Sequence, residues 1–185
     1  PTDMVTPAMR RAAKAVNFGI IYGIGAFSLS KDIGVSVAEA DTYIKKYLNN
    51  YPNVKIFMDK TIGEAVENGY VTTIFGRRRY IPELSSSNKM LQAFGKRAAM
   101  NAPIQGSAAD IIKIAMVKVF QKLRDENLDA KLILQVHDEL IVEVAEKDAD
   151  RAAEILQFEM ENAVKLDVPL TAEVNRGRSW YDAKG

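Results

Sequence analysis

The 185-residue chain contains no cysteine and a single histidine, His137. Without thiols there is no disulfide, no thiolate zinc site and no cysteine nucleophile, and the composition fits a reducing compartment. No apolar run is long enough to span a bilayer and no signal peptide is visible, so the expectation is a cytoplasmic protein with no membrane partner. An excess of one charge is missing too. The formal net charge is +1, which argues against reading the whole chain as a basic nucleic-acid tail. Positive charge is local instead, in Arg10-Arg11-Lys14 and in Arg77-Arg78-Arg79. There is no repeat and no low-complexity segment, and nothing points to a protein partner. A start methionine is also absent, whereas Trp180 to Gly185 reads as a natural terminus. The expectation is a chain cut from a longer one on its N-terminal side.

What is present is ordinary for a globular protein: 48% hydrophobic and 26% charged residues, enough for one core or two small lobes. Thr6-Pro7 is a helix start, and the spacing predicts a helix from about Ala8 to Tyr22 that stops at the glycines beyond it. Ser36-Val37-Ala38-Glu39 reads as a capping box that opens a helix toward Asn50, broken by Pro52. A further helix ends at Gly69. Tyr70 to Pro82 reads as a hairpin around Gly76. A helix from about Asn88 to Met100 is expected to end before Pro103, and Ser107 to Asp110 to cap a new one running to about Glu126. Lys131 to Ala145 gives two apolar strands around His137-Asp138-Glu139, followed by a helix from about Asp148 to Lys165. Residues 169–173 and 177–181 read as short closing strands. The expected fold is α+β, with a helical part over residues 1–70 and a sheet-bearing part over 71–185.

Arg10, Lys14, Phe18 and Tyr22 recur every four residues. On a helix they form a slowly drifting stripe about 18 Å long. It is cationic at its start and aromatic at its end, the order of phosphates, sugar and base in a nucleoside triphosphate. Arginine offers a fork of donors to phosphate oxygens and lysine a mobile charge, both near a helix N-terminus that itself favours anions. Phe18 is suited to packing on a sugar and Tyr22 to stacking on a base, with Gly19 and Gly23 leaving room beside them. The bland reading is an amphipathic helix with a basic solvent face.

The hairpin carries a second signal. Asp138 and Glu139 stand at a tight turn between apolar strands, and paired carboxylates on a rigid hairpin suit a hard cation such as Mg2+. In phosphoryl transfer two such ions flank the reaction. An acidic turn that serves solubility is the bland reading. Arg97, Asn101 and Gln105 recur at four-residue steps before Ser107 and offer donors to minor-groove acceptors, against helix-capping polar residues as the bland reading.

These strings resemble family A (DNA polymerase I-like) DNA polymerases. Arg10-x-x-x-Lys14-x-x-x-Phe18-Gly19-x-x-Tyr22-Gly23 is similar to motif B, the fingers helix that binds the incoming nucleotide. Gln135-Val136-His137-Asp138-Glu139-Leu140 resembles motif C, and the segment around Arg97, Asn101 and Gln105 resembles the part that tracks the primer–template minor groove. The resemblance implies that residues 1–70 belong to fingers and 71–185 to part of a palm. It implies that Arg10 and Lys14 hold the triphosphate, Phe18 the sugar, and Tyr22 lies near the templating base. It makes Asp138 a metal ligand, gives Glu139 a place at the same catalytic turn beside Lys14's catalytic role, and puts His137 on the primer end. Primer–template DNA and a deoxynucleoside triphosphate are the implied partners, and Mg2+ the implied cofactor. Motif A, which supplies the other metal-binding aspartate, is not in this chain, so the two-metal site is incomplete and little or no activity is expected of the chain alone. A single-subunit RNA polymerase relative and a non-catalytic nucleic-acid-binding module are the alternatives.

Overall fold

The structure is a computed structural model and describes residues 4–184. It is an α+β fold, mostly helical, with two small antiparallel hairpins. The chain divides into two compact units, Pro1–Gly106 and Ser107–Gly185.

The first unit begins with α1 (Pro7–Ile21), α2 (Ala26–Ile33) and α3 (Val37–Asn50), which pack on one another. Ile20, Leu29 and Ala40, one from each, are buried. Pro7 opens α1 at a position where its missing N–H costs nothing, and the Thr6 hydroxyl accepts from Met9 N at 3.2 Å. The capping box at α3 is present: Ser36 Oγ accepts from Glu39 N at 3.2 Å and Glu39 Oε2 accepts from Ser36 N at 2.9 Å. The hydrogen bonds from Ser36, side chain first, hold the Glu39 carboxyl below its usual range. Helix α2 was not expected. It is eight residues long and starts at Gly25, which has no side chain to cap it, so its usual signal is missing.

Pro52 ends one helix and opens the next, α4 (Pro52–Asn68), which closes at Gly69 with φ 76°. Strands β1 (Tyr70–Thr72) and β2 (Arg78–Tyr80) form the predicted hairpin, pairing Tyr70 with Tyr80 and Thr72 with Arg78. Thr73, buried at the turn, accepts from Phe75 N and Arg77 N, and Gly76 takes a left-handed φ of 80°. A 3-10 turn (Pro82–Ser85) follows, and Ala65, Val71, Ile81, Leu84, Ala99 and Ala102 make the core of this unit.

The predicted break at Pro103 does not occur. A single helix, α5 (Lys89–Asp125), runs 37 residues with Pro103 inside it, and Ser107 lies within the helix rather than at a cap. A mid-helix proline removes one hydrogen bond and crowds the carbonyl four residues earlier, at a cost of about 3 kcal/mol. Burial opposes this: Ala99, Met100 and Ala102 sit in core just before it, and Ile112, Ala115 and Val119 after it. The Gly106 carbonyl also accepts from Arg77 Nη2 at 3.0 Å.

In the second unit α5 leads into β3 (Ala130–Val136) and β4 (Glu139–Val144), which pair antiparallel with a bulge between Leu132 and Leu134. Helix α6 (Ala149–Glu161) packs on them, shorter than expected and ending at Asn162. Ile112, Val119, Leu123, Leu140, Ala152 and Ile155 form the core. The two predicted closing strands are absent: residues 163–179 are irregular, and Trp180–Lys184 is a short helix, α7. Local partners replace a ladder there. Ala172 N donates to Glu161 Oε1 at 3.0 Å, and Ser179 Oγ accepts from Asp182 N at 3.2 Å, which starts α7.

Candidate functional site

Helix α1 shows its stripe to solvent. Arg10, Arg11, Lys14 and Phe18 are exposed, while Ile20 carries the buried side. Lys14 Nζ lies 5.6 Å from the centre of the Phe18 ring, and the Phe18 and Tyr22 rings are 6.1 Å apart, tilted at 47°. Tyr22 falls just past the helix as its C-cap, half-buried, with its N–H bonded to the Phe18 carbonyl at 2.9 Å. The four residues therefore share one surface, cationic then aromatic.

The glycines do something other than make room for a ligand. A Cβ on Gly19 would come 2.9 Å from Ile24, and one on Gly23 would meet the Met100 methyl at 2.2 Å and Arg97 Cγ at 3.3 Å. The protein itself fills that space. Gly23 has φ 75°, so the chain turns there in the left-handed region that glycine tolerates and settles against α5. The same contact brings Arg97 beside the end of α1.

Arg97, Asn101 and Gln105 all lie within α5, spaced along one side of it. Arg97 and Gln105 are exposed and Asn101 is half-buried. Asn101 Oδ1 is buried without a hydrogen-bond partner. Gln105 lines a cavity of about 80 Å³ with Thr73, Arg77, Arg79 and Gly106. The arginine triplet is partly structural. Arg77 caps the Gly106 carbonyl, and the Arg78 guanidinium stacks 4.5 Å over Tyr70, its proton held more tightly through a hydrogen bond with Tyr80.

The β3–β4 hairpin turns on two residues, His137 and Asp138, between the paired Val136 and Glu139. His137 has φ 52°, uncommon for a residue with a Cβ, and its carbonyl accepts from Gln135 Nε2 at 2.7 Å. The His137 and Asp138 side chains are exposed. Glu139 is half-buried: Oε1 lies 3.4 Å from Lys184 Nζ, and Oε2 is buried with no hydrogen-bond partner. Among the described residues no three His, Asp or Glu side chains cluster as a ready metal site. The exposed Asp138 carboxylate is an oxygen donor of the kind a hard cation takes, while Glu139 Oε2 is closed to solvent. Mg2+ takes about six oxygens, so the remainder would come from water, phosphate or other residues. Lys184 had no sequence signal pointing to Glu139. The same holds for Tyr47, whose hydroxyl donates to Asn17 Oδ1 at 2.6 Å and ties α3 to α1.

A family model described as DNA polymerase family A matches residues 1–182. The chain belongs to DNA polymerase family A. It is 53% identical to DNA polymerase I of Caldicellulosiruptor bescii over 97% of this chain and 21% of that protein. It is 51% identical to DNA polymerase I of Bacillus subtilis over 98% of this chain, again 21% of the relative. The chain thus spans about a fifth of the length of the curated relatives it matches. Among solved structures, the POL domain of Pol1 from M. smegmatis, in complex with DNA primer-template and dNTP, covers the whole chain and 33% of its own length at TM-score 0.95 and 43% identity. This family A chain has no helix among its described residues long and apolar enough to cross a membrane.

Proposed function

We propose that this chain is the part of a template-directed DNA polymerase that grips the incoming deoxynucleoside triphosphate and supplies one side of the metal site. In the intact protein the reaction is nucleotidyl transfer to a primer 3′-hydroxyl, in DNA replication or repair. Residues 1–70 act as fingers and 71–185 as part of the palm, a division of roles separate from the division into compact units. The observation that carries this reading is the α1 surface, on which exposed Arg10 and Lys14 lead into the neighbouring, tilted rings of Phe18 and the half-buried Tyr22.

Arg10 and Lys14 take the triphosphate, Arg10 as a planar fork and Lys14 as a mobile charge. Phe18 packs on the sugar, and Tyr22, held at the helix end, faces the templating base. Arg97, Asn101, Gln105 and His137 contact the primer–template; the exposed positions of Arg97 and Gln105 on α5 support this. Asp138 is the metal ligand, and Glu139 stands beside it at the catalytic turn. A divalent cation such as Mg2+ bound there supplies charge stabilisation to phosphate oxygens. The two-metal arrangement needs a second aspartate, the one that motif A brings in the family.

Two measurements on the purified chain test this. Primer extension with Mg2+ should be absent or very weak, and robust extension would sink the requirement for motif A. Binding of a fluorescent deoxynucleoside triphosphate should fall about tenfold or more in Lys14→Ala, the worth of one charge-assisted hydrogen bond. Equal affinity in parent and variant would remove Lys14 from the nucleotide site.

A further inference from the structure

The closing helix reaches back to the carboxylate turn. Lys184, in α7, places Nζ 3.4 Å from Glu139 Oε1, and the same ammonium lies 5.2 Å from the centre of the Trp180 ring. A carboxylate and an aromatic face therefore hold one cation between them. The second oxygen of Glu139 is buried and unbonded, and Asp138 adds another negative charge next in sequence. Two adjacent carboxylates, one of them partly desolvated, are costly without positive charge nearby.

Resting on the reading that Asp138 holds a divalent cation, we propose that Lys184 is the internal counter-cation of this hairpin and that its charge sets how tightly the hairpin holds a metal ion. An ammonium and a divalent cation draw on the same negative potential, and each repels the other. Lys184 thus stabilises the carboxylate turn at the expense of metal affinity. It is a positioning residue: it acts on Glu139 and on the charge around Asp138, not on the reacting atoms. Both side chains are partly exposed, 61% for Lys184 and 43% for Glu139, so water and salt moderate the effect. Coulomb repulsion at this range, discounted for that screening, corresponds to about a fivefold change in metal affinity at low ionic strength.

The test is Mn2+ binding to the full chain, read by water proton relaxation, in the parent and in Asp138→Asn, Lys184→Gln and Lys184→Arg. Asp138→Asn identifies the part of the binding that belongs to the hairpin. Lys184→Gln should tighten that part about fivefold at low salt, with the gain shrinking as salt rises. Lys184→Arg keeps the charge and should match the parent. Thermal melting of each variant reports whether the fold is intact. A purely structural lysine would lower the melting temperature and leave Mn2+ affinity unchanged or weaker. That result, with Asp138-dependent binding present, overturns the inference and leaves the metal reading standing. Equal tightening in Lys184→Arg also overturns it, because charge would then not be the cause. If parent and Asp138→Asn bind Mn2+ alike, the metal reading falls and this inference falls with it.

Discussion

The α1 surface and the β3–β4 turn are built in opposite ways. On α1, one repeating helical geometry lines up Arg10, Lys14 and Phe18, and each side chain stands in solvent without help from distant residues. At the β3–β4 turn, Asp138 is presented by a residue in the left-handed region, next to a bulged strand, with Lys184 from the end of the chain on the neighbouring carboxylate. A helical face tolerates single changes because its geometry is repeated. A two-residue turn has no such redundancy. Uncommon backbone conformations of this sort tend to be kept where chemistry needs them.

That contrast is sharpest in kinetics. In an intact polymerase carrying these residues, Asp138→Asn should lower kcat by about a thousandfold or more, since a lost metal ligand removes several kcal/mol of charge stabilisation. Arg10→Ala should instead act mainly through KM for the nucleotide, by about tenfold to a hundredfold. Steady-state kinetics of both variants would separate grip from chemistry, and a pure kcat effect for Arg10→Ala would break the distinction.

Backbone strain gives a smaller and opposite pair of effects. His137→Gly should raise stability by about 0.5–1 kcal/mol by releasing the left-handed φ of a residue with a Cβ. Phe18→Gly, in the last turn of a regular helix, should lower it by about the same amount. Denaturant melts of the two variants compare them directly, and a destabilised His137→Gly would show that the side chain, not the backbone, governs the turn.

The smallest effect concerns acid. Glu126 accepts two bonds from Arg151, at 2.7 Å each, and this pairing lowers its carboxyl to about 2, while the arginine proton is held more tightly than usual. A depressed folded-state pKa stabilises above the ordinary carboxylate value, near 4.5, and that contribution is lost as pH falls from there toward 2. Arg151 is exposed and Glu126 half-buried, so water still screens the pair and the gain is modest. Glu126→Gln should flatten the stability profile between about pH 4.5 and 2, and melting curves across that range would show it. An unchanged profile would assign the acid sensitivity of this unit to other carboxylates.

The same contrast explains what could be read in advance. The four-residue spacing from Arg10 to Tyr22, the Ser36 box and the apolar strands around His137 are local patterns, and the structure has a helix, a cap and a hairpin there. Family membership was legible because the motif strings are local too. What escaped depends on contacts distant in sequence. Helix α5 survives Pro103 because buried residues on both sides hold it, and a proline in a sequence window does not reveal them. Residues 169–173 and 177–181 read as closing strands, but side-chain bonds such as that from Ala172 N to Glu161 serve the backbone instead. Gly19 and Gly23 suggested open space, and Ile24 and Met100 occupy it. Lys184 meets Glu139 only because α7 folds back, which no spacing announces.

The ammonium of Lys14 faces the Phe18 ring, 5.6 Å from its centre. Under the proposed reading, a triphosphate recruits a lysine that already has a resting place, worth about 0.5–1 kcal/mol on an exposed ring. On that reading, phosphates that took the ammonium would leave the Phe18 ring free for the sugar. Nucleotide entry would then be an exchange of partners, with the phosphate end of the ligand clearing the seat for its own sugar.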